Sequence, residues 1–317
     1  MFNTHYRYTW IVSLFKIGTW YLGILCITSI LGFYFPLPTH SEYAVTNRFL
    51  TLSKTNPFVE TSFCNEPIPF YRPNVQLSFN AEYKKFNSNE TIHSIKSKAD
   101  EWFPILKPIF LNKGLSEDLI YIVLAESQLN NLVSPAGATG FWQFMPTTAM
   151  SLNLQIDSII DERLNPVAST YAATSFLKEA YKRFGSWSLA VASYNLGQEG
   201  LEREILKQGT KDFYKLRLNA ETKSFLFKII AFKTLFESIN YSSSSHLSVK
   251  KIKIDKSATL MEICDTHHLN FEDVLLNNPW IKIPYLKARK NEYYIICSKT
   301  ESKDGKVSKI RKRKRRS

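Results

Sequence analysis

The chain has 317 residues, 44% of them hydrophobic, with a mean hydropathy of −0.20 and a formal net charge of +13 at pH 7. That length leaves room for about two domains, and the composition sets aside a chain without a sizeable core. The positive charge calls for an anionic partner or surface, but nucleic acid, anionic lipid and cell-wall polymer all qualify.

Residues 1–36 hold a segment, Ile17 to Phe35, with no formal charge. It is long enough to cross a bilayer core as a helix. Arg7 and Lys16 precede it, and Glu42 follows before the next cation, Arg48, which favours a cytoplasmic N-terminus and an exported remainder. With no A-x-A-like site before Pro36, an uncleaved membrane anchor is expected, a cleaved signal peptide being the alternative. Cys26 lacks the small residue before it that lipidation requires. Residues 37–93, rich in Pro, Asn, Ser and Thr, read as a linker with short strands near Val75–Phe79. Residues 94–240 carry helical periodicity throughout. The run YSSSSH at Tyr241–His246 marks a boundary, residues 247–298 read as a small α+β unit, and 299–317 form a basic, disordered tail. Cys64, Cys264 and Cys297 match no metal-site spacing. Export would permit a Cys264–Cys297 bridge, and ordinary buried thiols fit equally well.

Within 94–240, Ser116 before Glu117 and Asp118 predicts an N-cap with acids in the first turn. The helix it opens carries Leu119, Ile122 and Val123 on one face. Asn165-Pro166 predicts a cap with Pro at the first helical position, and the helix that follows should stop at Gly185. Ser186 should cap the next helix, and a last long helix should present Phe225, Ile229, Phe232, Phe236 and Ile239. Glu126 lies seven, four and three positions after Leu119, Ile122 and Val123, so a helix projects it from the apolar stripe. A carboxyl so placed resists ionisation and holds a proton near neutrality, the property a glycosidase's general acid needs. A structural carboxylate paired with a buried cation or a helix N-terminus would show the same pattern. The small-residue loop Ser134–Gly140 follows, in which backbone can approach a ligand closely. It leads into Phe141-Trp-Gln-Phe-Met-Pro146, an aromatic and amide cluster suited to gripping sugar rings.

Three ordered blocks resemble one family. They are AESQLNNLVSPAGATGFWQFMPTTA from Ala125, DERLNPVASTYAATSFLKEAYKRFGSWSLAVASYN from Asp161 and LRLNAETKSFLFKIIA from Leu216. They are similar to the family 1 lytic transglycosylases of the goose-lysozyme-like fold, in particular the membrane-bound transglycosylase D branch. The resemblance implies a mainly α, lysozyme-like catalytic domain over 94–240 and a carbon–oxygen lyase acting on peptidoglycan. By position it makes Glu126 the catalytic acid/base and places Ser127, Ser134, Gln143, Met145, Tyr194, Asn195 and Glu221 along the sugar cleft. Turn-capping amides at Gln143 and Asn195, and a helix-dipole role for Glu221, are the structural alternatives. Phe225 stands where a tyrosine is common after the Glu-Thr pair.

The reaction implied breaks the MurNAc-β-1,4-GlcNAc bond with one carboxyl group and no water, leaving a 1,6-anhydroMurNAc end. It needs no metal or cofactor. Residues 247–298 resemble a divergent LysM-type module of βααβ order, with Leu260, Ile263, Leu269, Phe271, Val274 and Leu275 as apolar positions and Asn278-Pro279 at the motif's Asn-Pro. The partners expected are peptidoglycan glycan strands, the membrane through the N-terminal helix, and anionic envelope polymers through the basic tail, with no nucleic acid. The catalytic domain is expected on the exported side of the envelope.

Overall fold

The computed structural model describes residues 62–237, 239 and 244–299, all within one compact unit. The expected anchor, the first part of the expected linker and the basic tail lie outside the described residues. Among the described residues, no helix is long and apolar enough to cross a membrane.

The helical part begins earlier than its periodicity suggests. Strands β1 (Ser62–Phe63) and β2 (Glu66–Pro67) form a small antiparallel hairpin, and helix α1 follows over Pro73–Phe86. The short strands expected near Val75–Phe79 are therefore replaced by helix. Val75, Phe79, Tyr83 and Phe86 recur at spacings of four, four and three, so a helix puts them on one face, and all four pack on the main core. The intervening Asn and Ser residues mask that period. Helix α2 (Asn89–Asn112) is capped by Ser88, which accepts from the Thr91 amide, and buries Ile95, Ala99, Phe103, Leu106 and Phe110.

Ser116 caps as its sequence predicts, its hydroxyl accepting from the Asp118 amide. It opens a 3-10 turn (Glu117–Ile120) that becomes helix α3 (Tyr121–Glu126). Helix α4 (Pro146–Ser151) starts on a proline, and a second 3-10 turn (Glu162–Leu164) precedes helix α5 (Pro166–Phe184). Asn165 Oδ1 accepts from the Val167 and Ala168 amides at 3.1 Å each, and Gly185 closes α5 in the left-handed region at φ +74°.

Helix α6 (Trp187–Leu196) departs from expectation at its start. Ser186 makes no side-chain cap. The Glu66 carboxylate of β2 takes its place, accepting from the Trp187 amide (2.7 Å), the Ser188 amide (3.3 Å) and the Ser186 hydroxyl (3.2 Å). A carboxylate at this position satisfies unpaired amides and faces the positive end of the helix dipole. Helix α7 (Gln198–Gln208) follows. Helix α8 (Ala220–Glu237) is buried nearly all round, from Phe225 through Phe236, and packs against α1, α3 and α6. An apolar circumference of this kind marks the central helix of a bundle. Ile239 lies beyond its end.

The C-terminal unit pairs β3 (Leu247–Ile252) antiparallel with β6 (Tyr293–Ser298), from Leu247 opposite Ser298 to Ile252 opposite Tyr293. Between them come β4 (Ala258–Thr259), α9 (Leu260–His267), α10 (Phe271–Asn277) and β5 (Tyr285–Leu286). Helix α9 is opened by a capping box between Thr259 and Glu262. Leu260, Ile263, Val274, Trp280 and Ile295 fill its core, with Leu269 and Phe271 packed against them. Leu275, expected in that core, points outward at 45% exposure, because Val274 one position earlier takes the inward face of the short α10. Cys264 and Cys297 are both buried free thiols, so the bridge permitted by export is not formed.

Asn278 organises this unit. It is fully buried, donates to the Val274 (2.7 Å) and Ile296 (2.6 Å) carbonyls, and accepts from the Trp280 indole (2.9 Å) and the Ile296 amide (2.9 Å). Asn278→Ala strands four buried polar groups at once. It should lower stability by about 3–5 kcal/mol in urea unfolding, because each unsatisfied group costs ~1–3 kcal/mol.

The unit is fastened to the helical part rather than hung from it. The segment before α5 supplies Ile160 to the C-terminal core. The Asp161 amide donates to Trp280 O (2.8 Å), the Lys282 amide to Ile159 O (2.8 Å) and Asn165 Nδ2 to Tyr294 O (2.9 Å). Arg289 Nη1 meets Glu162 Oε1 at 2.8 Å with both side chains mostly buried, and the Tyr171 and Tyr294 rings stack at 5.1 Å.

Candidate active site

Glu126 is the last residue of α3, and the chain turns sharply after it. Gln128 (φ +51°) and Leu129 (φ +59°) occupy the left-handed region that side chains avoid. Asn130 holds this turn by donating to the Ser127 (2.7 Å) and Gln128 (3.2 Å) carbonyls, and Lys98 Nζ in turn donates to Asn130 Oδ1 (2.6 Å). Leu119, Ile122 and Val123 are wholly buried along the stripe, while Glu126 at its end keeps part of its surface open to solvent.

The carboxyl is nevertheless crowded by protein. Burial raises its pKa from the ordinary 4.5 to about 8, with Lys228 pulling it down and Glu221 pushing it up. Glu126 therefore carries its proton at neutral pH. Among the described residues it forms no ion pair: the cation that acts on it, Lys228, donates to the Ala125 carbonyl. Tyr194 lies within its electrostatic reach. Burial, and then the charge of Glu126, push the phenol well above its ordinary value, so it stays a neutral donor. Its hydroxyl donates to Trp142 O at 2.7 Å.

The loop from Ser134 to Phe144 is folded on itself. Ser134 Oγ accepts from the Ala138 amide (3.0 Å), and Thr139 bridges Val133 on one side and Phe144 on the other. Gly140 (φ +83°) is where it crosses the segment before α5: a Cβ there would stand 1.9 Å from Arg163 O. The Arg163 guanidinium supports the loop from beneath, donating to Gly137 O (2.8 Å) and Phe144 O (3.2 Å) while Asp161 holds its other edge.

The expected site residues divide by role. Gln143, at φ +49°, turns its amide onto Gly140 O (2.8 Å) and Leu132 O (3.2 Å), the turn-capping alternative. Ser127 is buried and its hydroxyl donates to Phe141 O (2.8 Å), so it fixes the loop instead of facing a sugar. The sugar-gripping aromatics are corrected as well: Phe141, Trp142 and Phe144 are core residues, Trp142 being fully buried with its indole on Thr170 Oγ1 (2.8 Å). Their apolar area favours burial over display. Exposed apolar surface comes instead from Leu132, Val133, Met145 and Met150. Asn195 donates to Glu221 Oε1 (3.2 Å) and accepts from the Thr222 hydroxyl (2.7 Å), so Asn195 and Glu221 form a pair at the start of α8. Sequence patterning missed Arg163 and Lys228. Both are cations whose positions beside the loop and beside Glu126 depend on tertiary contacts.

Residues 111–217, which span α3, the loop and α5 to α7, match the transglycosylase SLT domain. This segment of the chain is similar to the transglycosylase SLT family. The chain is 23% identical over 228 residues to the membrane-bound lytic murein transglycosylase D of Escherichia coli (strain K12), covering 68% of this chain and 50% of the relative. The protein of the same name from Escherichia coli O6:H1 gives the same figures. A protein named for tributyltin chloride resistance, from Alteromonas sp. (strain M-1), is 36% identical over 95 residues, 29% of this chain and 46% of its own length. The chain thus spans about half the length of the curated relatives it matches.

Proposed function

We propose that this chain is a peptidoglycan lytic transglycosylase with Glu126 as its single acid/base. The observation that supports the reading is a carboxyl group crowded by protein at a helix end inside the SLT-matching segment, its pKa pushed up to about 8 by burial, with Tyr194 and Glu221 within its electrostatic reach. Substrate-assisted glycosidases need only one such group.

Glu126 gives its proton to the glycosidic oxygen between N-acetylmuramic acid and N-acetylglucosamine. The C1–O bond breaks, and the neighbouring acetamido group stabilises the oxocarbenium-like centre. The Glu126 carboxylate then takes the proton of the muramoyl C6 hydroxyl, whose oxygen bonds to C1 and closes the 1,6-anhydro ring. The acid is regenerated and no water is consumed. Intramolecular attack of this kind gains from proximity. Ser134 and Met145 bring the loop to the glycan, with Gln143 holding the loop's turn, while Tyr194, Asn195 and Glu221 border it from α6 and α8. In this reading the Ile17–Phe35 segment anchors the protein in the envelope membrane. The βααβ unit is LysM-like and holds GlcNAc-containing strands near the site, and the basic tail draws anionic envelope polymers.

Mass spectrometry of purified sacculi digested by the protein tests the reaction. Anhydro ends, lighter by one water than hydrolysed ends, are expected. Reducing ends alone would make the protein a hydrolytic muramidase, and the absence of released fragments would make it a binding protein.

A further inference from the structure

Lys228 has no part in the steps above, yet its charge acts on the acid. It lies on α8 seven residues after Glu221, so both occupy one face of that helix about 10 Å apart along its axis. Its ammonium donates to the Ala125 carbonyl, in the residue before Glu126, and stands 5.7 Å from the Phe86 ring centroid of α1. Three elements thus enclose it: α1, the end of α3, and α8.

Among the described residues, the charged and titratable groups that act on the Glu126–Lys228 pair come from three helices. Glu221 on α8 and the Tyr194 phenol on α6 couple to Glu126, and Glu82 and Lys85 on α1, together with Glu221, act on Lys228. Glu82 is already paired with Lys85 at 2.5 Å. Among the described residues Lys228 forms no ion pair, and of the carboxylates that act on it Glu126 acts most strongly, ahead of Glu82 and Glu221.

We propose that Lys228 is a positioning residue for the reaction, the fixed counter-charge that lets Glu126 become a carboxylate and return to an acid within one turnover. The inference rests on the reading of Glu126 as acid/base. Burial alone favours only the protonated form, and a group that must also act as a base needs its anion stabilised at the moment the leaving oxygen takes the proton. An ammonium held on a neighbouring backbone carbonyl does this without quenching the acid in a direct ion pair. Burial also holds Lys228 below the ordinary lysine value, with Glu126 opposing that shift, which is the mirror of the effect on the acid.

The test is a titration of the full-length protein in detergent, reading the Glu126 carboxyl carbon and the Lys228 ε-carbon by NMR. In Lys228→Met the Glu126 midpoint should rise by about one pH unit or more, and Lys228→Arg should return it towards the parent value. Linkage is reciprocal, so Glu126→Gln should lower the Lys228 midpoint by a similar amount, an arm that needs no change at Lys228. On sacculi at neutral pH, Lys228→Met should lower kcat about three- to tenfold with KM unchanged. A Lys228 that merely caps α3 would leave both midpoints in place, and that result overturns the proposal. Coupled midpoints in a parent protein that releases no glycan would instead overturn the enzymatic reading, and with it a role for Lys228 in turnover.

Discussion

Glu126→Gln should cut glycan release from sacculi by roughly 10²–10⁴-fold, the usual contribution of a general acid–base group, while binding to sacculi is retained. The amide keeps the shape of the side chain and can neither give nor take the proton. The same substitution should change stability, with a sign set by the raised pKa. The folded-state value of about 8 lies above the ordinary 4.5, so between these values the native protein holds a proton that the unfolded chain has released. Parental stability therefore falls as pH rises through that window, and the Gln variant escapes the loss. The variant should gain on the order of 2–4 kcal/mol over the parent at pH 8, relative to their difference at pH 4.5, because each pKa unit is worth ~1.4 kcal/mol. Urea unfolding of both proteins at the two pH values measures it. A difference that does not change with pH would mean that Glu126 titrates as an ordinary surface carboxyl.

Gly140→Ala should be the most damaging small substitution in the loop. The new Cβ would lie 1.9 Å from Arg163 O and 2.7 Å from Arg163 C, and φ at this position is +83°. The obstacle is backbone, so no rotamer change relieves it. Nor can the Arg163 segment withdraw, because Asp161 is bound to Trp280 O on its far side and the guanidinium is bound to the loop itself. A loss of about 3 kcal/mol or more is expected in urea unfolding, with activity falling alongside as the loop is displaced. Gly137→Ala is the matched control. Its φ is +86° but nothing lies within 4 Å of where the new methyl would stand, so it should cost only the left-handed conformation, ~1 kcal/mol. Equal losses for the two variants would show that conformation, and not the crossing of loop and segment, sets the requirement for glycine.

Local signals in the sequence translated well. The stripe of Leu119, Ile122 and Val123 placed Glu126 on the inward face because helical period needs only neighbours a turn away. The caps at Ser116 and Asn165 and the stop at Gly185 likewise depend on residues within a few positions. What escaped the sequence depends on contacts across the fold. The cap of α6 comes from Glu66, 121 positions before the amide of Trp187. Trp142 and Phe144 look like a sugar platform in a string of aromatics, and only packing shows that they face the core. Helix α1 hides its period among Asn and Ser residues that favour turns. Serine-rich residues before β3 signal a separate module, yet Glu162–Arg289 and Tyr171–Tyr294 bind the C-terminal unit to the helices.

This fastening places the Arg163 segment between two tasks. Its Asp161 amide faces the C-terminal unit, and its Arg163 side chain faces the loop beside Glu126. Packing of the terminal unit and shape of the loop are thus set by one short stretch of chain, so damage at Asn278 should also reach the loop.

The pH dependence of kcat/KM for glycan release is the most direct measurement of Glu126 as a neutral acid. Release should hold from about pH 5 upward and decline only near pH 8, by about tenfold per unit beyond it, as the carboxyl loses its proton. A decline that begins at about pH 5, where an ordinary glutamate has already ionised, would contradict it.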